Sequence, residues 1–577
     1  MTGQVYPWIG LLMYKALQEV WQELTEEGAP FHVDEIEVRG SPMRVYSAAP
    51  PSLRELWLAS QAHASNEYLV YESDRWTYEE AHRDVASIAN WLKDHGINPG
   101  DRVAISMRNY PEWLLTYWAC VATGVTAVGL NAWWIDNELD YGLKDSAPKV
   151  LICDQERLNQ FDNIKAGFPD LMLVGVRLTS THDYVIPFSD LLETGGPLPE
   201  VIVDPDTDAC IFYTSGTTGR PKGAQLTHRG CVHNVMNLGF WGSAMSMATA
   251  RAKGVSPPDM AGSPPGSALI TTPLFHVTAN NCLAQGTTMG GGKLVHMYRW
   301  DAGEALKIIE REKITSLTGV PVMSRELIGH PDFDKYDTSS LVSVGGGGAQ
   351  LQPDLVEKID KAVKTARPGT GYGMTETCGI ITSIGGDFFV DRPDSAGPAM
   401  PTFEVKTVDA NGNELPQGQA GELWVRGAPV IKGYLNQEAA TAESITDGWL
   451  HTGDVAYIDE QGFIYIVDRV KDMVLRGGEN IYCSEVEVVI FEMDQVAECA
   501  VFSVPDDRLG EEVGIAIYRK PDSNLSADKV RNYCTALMAK HKIPRYIWLL
   551  DEKLPKNANG KFLKRELQES LQIENAV

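Results

Sequence analysis

Neither a disulfide scaffold nor a zinc knuckle is written into this sequence. Its 577 residues include only nine cysteines, an odd number with no Cys-x-x-Cys pair, so reduced thiols in a cytoplasmic protein are expected. Positive charge is also scarce: 50 Lys and Arg against 77 Asp and Glu leave a formal charge of −27. A nucleic-acid backbone needs a net basic footprint, so no nucleic-acid partner is expected. A local basic patch for an anionic cofactor stays compatible with this balance. The N-terminal stretch MTGQVYPWIGLLMYKALQEVWQEL has an apolar run from Trp8 to Met13 but neither a basic leader nor a small-residue cleavage site, which excludes a signal peptide. It predicts an amphipathic helix, for which peripheral membrane contact and a homodimer interface are both open readings. Trp113 to Leu130 is uncharged and reaches the lower limit of a membrane span. Gly124 splits it into a helix-spaced half and a β-branched half, GVTAVGL, so no transmembrane segment is expected. No 20–50-residue repeat and no charge block occurs, which argues against a solenoid or an appended tail.

What is present is ordinary globular material, 44% hydrophobic and 22% charged, enough for several structural units. Thr77 with Glu80 forms a capping box, and Val85, Ile88, Ala89 and Leu92 fall on one face of the helix it opens. The turn Pro99-Gly100-Asp101 and a strand Val103 to Met107 follow. Short apolar runs at 149–153, 209–213, 268–272 and 341–344 continue this helix–strand rhythm and read as strands buried on both faces. After about residue 395 the strands shorten around turns at Asn411-Gly412 and Gln461-Gly462, as in a small antiparallel sheet or barrel. Two permissive stretches interrupt the first part, the Pro-rich loop 256–266 and four consecutive glycines, Gly345 to Gly348.

Four segments carry chemistry. Tyr213 to Gly223 (YTSGTTGRPKG) follows a buried strand and crowds hydroxyls, glycines and Lys222 into a loop suited to a polyphosphate. It is not a Walker A loop, because Arg220-Pro221-Lys222 follows Gly219. Gly369 to Glu376 (GTGYGMTE) fails as a dinucleotide fingerprint at Met374. It leaves Tyr372 for a base, and Thr375 and Glu376 for a phosphate and its Mg²⁺; a plain tight turn is the competing reading. In Trp449 to Asp472, Asp454 and Arg469 flank a hairpin, as a ribose site or as a surface ion pair. In LPKNANGKFLK, the Asn559-Gly560 turn presents Lys561.

In this order and spacing, the four segments resemble the adenylate-forming superfamily of acyl-CoA synthetases, luciferases and peptide-synthetase adenylation domains, over nearly the whole chain from Arg75 to Lys561. The resemblance implies an α/β fold: a large N-terminal domain of α/β subdomains with a small antiparallel sheet or barrel, residues 1–470, and a small mobile α+β C-terminal domain, residues 471–577. It implies that Thr214, Ser215, Gly216, Thr217, Thr218, Gly219 and Lys222 lie over the ATP phosphates. Gly347, Gly348 and Ala349 would pass beside adenine and the acyl carboxylate, with Gln350 where many relatives have Pro. Tyr372 would stack on adenine, Thr375 would hold the α-phosphate, Glu376 the Mg²⁺, and Asp454 and Arg469 the ribose. Lys561 would be the catalytic lysine and Lys471 the domain hinge. Gly477-Gly478-Glu479-Asn480 would line the pantetheine path, and His276 would stand where the acyl pocket meets the thiol path.

The implied reaction is an acid:CoA ligation with ATP, Mg²⁺ and coenzyme A: carboxylate and ATP give acyl-AMP and pyrophosphate, and the thiol then gives the acyl-CoA and AMP. No Asp or Glu occurs between Thr271 and Val295, whereas an amino-acid substrate would need a carboxylate for its ammonium. Trp241, Phe275, Val277 and Val320 offer an apolar wall. A medium- or long-chain fatty acid is the first reading of the substrate, an aryl acid the second, and a luciferase-like or non-CoA acyl-adenylate enzyme the third.

Overall fold

The computed structural model describes residues 7–577 except 181, 215–219, 258–263, 349–350, 478, 522 and 558–560. Two large sheets carry the first two thirds of the chain. The first has seven strands in the order Lys222–Thr227, Asp208–Thr214, Thr126–Gly129, Arg102–Ser106, Val150–Asp154, Met172–Val176, Ile186–Pro187. All neighbours are parallel except the first pair, which forms an antiparallel hairpin. The second has eight strands, parallel in the middle and closed by an antiparallel pair at each edge. Runs such as Val150–Asp154 are buried at every position, as expected of strands covered by helices on both faces. The uncharged stretch 113–130 resolves into the helix Pro111–Val121 and the strand Thr126–Gly129, both buried, and among the described residues no helix is long and apolar enough to cross a membrane. All nine cysteines are unpaired.

The capping box at Thr77 is formed in both directions and opens the helix Tyr78–Asp94. The N-terminal stretch forms the helix Pro7–Thr25, which packs on the long helix His228–Lys253. This long helix joins the two cores. Cys231, Val232 and Val235 belong to the cluster around Trp113 and Trp118, whereas Phe240, Trp241 and Ala244 belong to a second cluster with Val344 and Ile381. The expected change of style after residue 395 appears as an antiparallel sheet in the order Gly397–Pro398, Phe463–Arg469, Trp449–Ile458, Gly421–Gly427, Phe403–Val408. It remains an open sheet. Four residues, 470–473, separate its strand Phe463–Arg469 from Val474–Arg476, the first segment of a five-stranded sheet that also holds Val496–Asp506, Gly510–Arg519 and Tyr546–Leu550. Lys471 lies in that connection.

Candidate active site

The site gathers at the C-terminal ends of the parallel strands, where the two large sheets, the antiparallel sheet and the small sheet converge. Open α/β sheets bind ligands at such edges. Asp208–Thr214 and Lys222–Thr227 form a hairpin that pairs Thr214 with Lys222, so both stand at the base of the predicted phosphate loop; Ser215, Gly216, Thr217, Thr218 and Gly219 fall outside the described residues. The Lys222 ammonium lies 4.8 Å from the ring of Tyr434. The Tyr434 hydroxyl in turn donates to Glu376 Oε1 at 2.8 Å.

Thr375 and Glu376 sit on a single 3₁₀ turn, Thr375–Thr377, at the end of the strand Arg367–Met374. The turn is braced from behind. Ile431 N donates to the Glu376 carbonyl at 3.0 Å. Asn281 Nδ2 donates to the Cys378 carbonyl at 3.0 Å, and Ile380 N donates to Asn234 Oδ1 at 3.0 Å. Glycine is required on both sides of the turn. A Cβ on Gly373 would stand 1.9 Å from the Gly379 carbonyl oxygen, and one on Gly379, at φ +145°, 2.1 Å from Asn234 Oδ1. What the sequence presents as a failed dinucleotide fingerprint is therefore a packed turn that carries the Thr375 hydroxyl and the Glu376 carboxylate.

Asp454 and Arg469 face each other across the hairpin Trp449–Ile458 and Phe463–Arg469. Arg469 Nε lies 2.9 Å from Asp454 Oδ1, and Tyr372 Oη donates to Asp454 Oδ2 at 2.7 Å. Burial, then the Asp454 charge, push the Tyr372 phenol well above its ordinary range, so it remains a donor. The pair is not a simple surface bridge: the Asp454 side chain is 6% exposed and that of Arg469 50%. One partner is buried, and the other reaches from it into the cleft.

Lys561 enters from the small sheet's side. Its N–H donates to Asn557 Oδ1 at 3.0 Å, its carbonyl accepts from Asn557 N at 2.9 Å, and Lys556 pairs with Phe562 below them. This hairpin places the ammonium within electrostatic reach of Arg469, Asp454 and Glu376. The cleft walls, then Arg469, lower its pKa while the two carboxylates pull it up. Solvent still touches the side chain, as expected of a group lining an open cleft, and an arriving phosphate would restore its preference for the charged form.

His276 also feels the Lys561 charge. Burial first and Lys561 second lower its pKa to about 4, so the imidazole is neutral at pH 7. Its Nε2 is buried without a partner among the described residues. His276 is followed by a π-helical segment, Thr278–Ala284, a geometry frequent at functional sites. A Cβ on Gly347 would meet Thr278 Cγ2 at 3.8 Å, and one on Gly348 would meet Val320 Cγ1 at 3.9 Å. The glycine strip, Thr278 and Val320 thus share one wall. Phe275 and Val277 are buried beside it in the first core, whereas Trp241 packs in the second. Ala349 and Gly478 lie outside the described residues.

Tyr434, Thr278, Asn234 and Asn281 are absent from the sequence-based site. Tyr434 stands 58 positions from Glu376, and no local pattern links the two. For Thr278 a signal exists, its place two residues after His276.

Among the described residues, no group of three or more His, Cys, Asp or Glu could hold a metal. Mg²⁺ bound through substrate phosphates needs only one or two carboxylates. Glu376, with one oxygen committed to Tyr434 and braced by its backbone, fits that requirement.

Residues 56–435 match the AMP-binding enzyme family and residues 485–561 the AMP-binding enzyme C-terminal domain. A feruloyl-CoA synthase from an Amycolatopsis species is 35% identical over 85% of this chain and 93% of its own. A long-chain-fatty-acid–CoA ligase of Bacillus subtilis is 29% identical over 87% and 91%. Among solved structures, o-succinylbenzoate CoA synthetase from Bacillus subtilis in complex with its acyl-adenylate intermediate superposes with a TM-score of 0.74 at 28% identity, covering 91% of this chain and 99% of that one. With the loop base, the Thr-Glu turn, the Asp454–Arg469 pair and the hairpin lysine converging on one cleft, the chain belongs to the AMP-binding enzyme family and is an AMP-forming enzyme of the acyl-CoA synthetase type.

Proposed function

We propose that this enzyme joins an apolar monocarboxylic acid to coenzyme A in two steps, with an acyl-adenylate between them. The observation that carries the reading is the meeting of Lys561 with Arg469, Asp454 and Glu376 in one cleft, beside a neutral His276. In the first step a carboxylate oxygen attacks the α-phosphorus of ATP and pyrophosphate leaves. Anion meets anion there, so positive charge and hydrogen bonds must be in place before the reaction begins. Lys561 supplies a charge beside the ribose pair, Lys222 one at the loop base, and Thr375 a hydroxyl for the α-phosphate. Asp454 accepts the ribose hydroxyls, with Arg469 and Tyr372 holding its carboxylate. Mg²⁺, held by Glu376 and the triphosphate, would offset charge on the leaving pyrophosphate.

In the second step the thiol sulfur attacks the acyl carbon and AMP leaves. Lys561 has no role at the thiol. Rotation of the small domain, residues 471–577, about Lys471 would remove Lys561 and open a path past His276 and the 477–480 turn. A neutral imidazole can accept the thiol proton without adding a cation to the cleft.

The wall of Phe275, Val277, Thr278 and Val320, with no carboxylate between Thr271 and Val295, supports an apolar acid and disfavours an ammonium-bearing one. The feruloyl-CoA synthase likeness at 35% identity supports an aryl acid; a medium- or long-chain fatty acid, supported by the more distant ligase likeness, is the second reading. Pyrophosphate release measured across cinnamates, fatty acids and α-amino acids, with and without CoA, tests both. Turnover of apolar acids should exceed that of any free α-amino acid by about a hundredfold or more, equivalent to about 2.7 kcal/mol. A preferred amino acid would overturn the pocket argument, and AMP release indifferent to CoA would overturn the acceptor.

A further inference from the structure

Away from the catalytic cleft, the helix Pro7–Thr25 and the antiparallel sheet flank an open groove of about 810 Å³, within the range of small-molecule sites, about 300–1,000 Å³. Leu17 and Trp21 line it from the helix, Phe403 and Val405 from the strand Phe403–Val408, and Arg44 from the strand Ser41–Tyr46. The helix and Arg44 precede residue 56, where the family match begins. One wall is therefore built by a part of this chain that the family's common body does not supply.

The charge in this lining is unbalanced. Glu404 is neutralised by two 3.0 Å hydrogen bonds from Arg426. Lys406 projects over Trp449, 4.3 Å from the ring centroid, and lies 5.3 Å from that of Trp424. Neither Lys406 nor Arg44 has an ion pair among the described residues, and the remaining lining carboxylate is the exposed Glu414. Two cations against one carboxylate leave a positive pocket on a chain whose formal charge is −27, and a low-dielectric concavity concentrates such a field. Aromatic and aliphatic walls beside unpaired cations suit an anion carried on an apolar body.

We propose that this groove is a second ligand site for an amphipathic carboxylate, its head held by Arg44 and Lys406 and its aryl or alkyl body lying between Leu17 and Trp21 on one side and Phe403 and Val405 on the other. The site is independent of the acid turned over in the cleft.

Calorimetric titration of the full-length enzyme with cinnamate and with decanoate separates the two kinds of body. At least one of them should bind wild type with one equivalent per chain more than it binds Lys406→Glu, while the variant keeps its turnover. Arg44→Glu, at an exposed position, should lose the same equivalent, and Trp21→Ala should weaken that site by about tenfold. Should Lys406→Glu not fold, Arg44→Glu decides alone. Equal stoichiometry for both acids in wild type and the folded charge-reversal variants would overturn the proposal.

Discussion

The two sides of the cleft are built differently. On the large-domain side, the Thr375–Thr377 turn is held by Asn234, Asn281, Ile431 and Tyr434, four contacts from three separate segments of chain. On the small-domain side, Lys561 is presented by a short hairpin held within itself, by Asn557 and by the bond from Leu563 N to the Pro555 carbonyl. Between that side and the large domain, Lys553 and Glu326 lie 3.8 Å apart with side chains 69% and 39% exposed, and beside the connection Cys483 N and Ser484 Oγ donate to Asp468 and Val467. A braced wall suits groups needed throughout the reaction, since preorganised dipoles cost no reorganisation. A lightly held one suits a group needed for one step.

The largest test of this contrast is Lys561→Ala. Adenylation should fall by about a thousandfold, the scale of losing a key charge-stabilising group, while thiolation of supplied acyl-adenylate stays within about twofold. Comparing the half-reactions measures both, and equal losses would place Lys561 in both steps. Lys471→Pro fixes φ in the connection and should preserve adenylation but slow CoA transfer by about a hundredfold, with acyl-adenylate accumulating in quenched samples. Unimpaired thioester formation would move the hinge elsewhere.

Acid should distinguish the two sides as well. Burial lowers the pKa of His228 to about 3, His233 to about 4 and His296 to about 3, and all three belong to the large sheets' cores. Below pH 6.5 the unfolded chain binds protons that these imidazoles refuse, so stability falls as pH drops from 6.5 towards 4, by up to about 1.4 kcal/mol per pH unit for each. Residues 471–577 contain one histidine, His541. Hydrogen exchange between pH 7 and 5 should therefore show loss of protection first in the large domain; simultaneous loss would show that other groups dominate.

Tyr434→Phe removes the hydrogen bond to Glu376 and should lower kcat/KM for ATP by about tenfold, with a shifted Mg²⁺ dependence as its signature. An unchanged Mg²⁺ profile would separate Tyr434 from the metal position. Smallest of all, Lys553→Ala should change melting and both half-reactions by no more than about 0.5 kcal/mol. A larger effect would mean that the small domain is held more firmly than its contacts indicate.

Much of this was legible in the sequence because local rules decide it. The buried runs at 149–153 and 209–213, the capping box at Thr77 and the hairpin that pairs Asp454 with Arg469 all follow from periodicity and turn chemistry. The roles proposed for Lys561 and Lys471 rest on family resemblance alone, since a lysine on a turn or in a connection carries no pattern. Tyr434 and Asn234 were illegible for a further reason: each contacts the Thr-Glu segment from far along the chain, and such contacts exist only once the strands have taken their spatial order. Trp241, expected in one wall with Phe275, packs in the second core while Phe275 packs in the first.

The glycines around the Thr-Glu turn also bear on how this enzyme can change over generations. At Gly373 and Gly379 even a methyl group collides with backbone or a buried amide, so inheritance at these positions is nearly all-or-nothing and the adenylating end has little room to drift. At Gly347, in the wall shared with Thr278 and Val320, an added Cβ would meet its nearest neighbour only at 3.8 Å. If that wall selects the acid, as proposed, substitution there changes the acid taken and leaves the turn's geometry untouched.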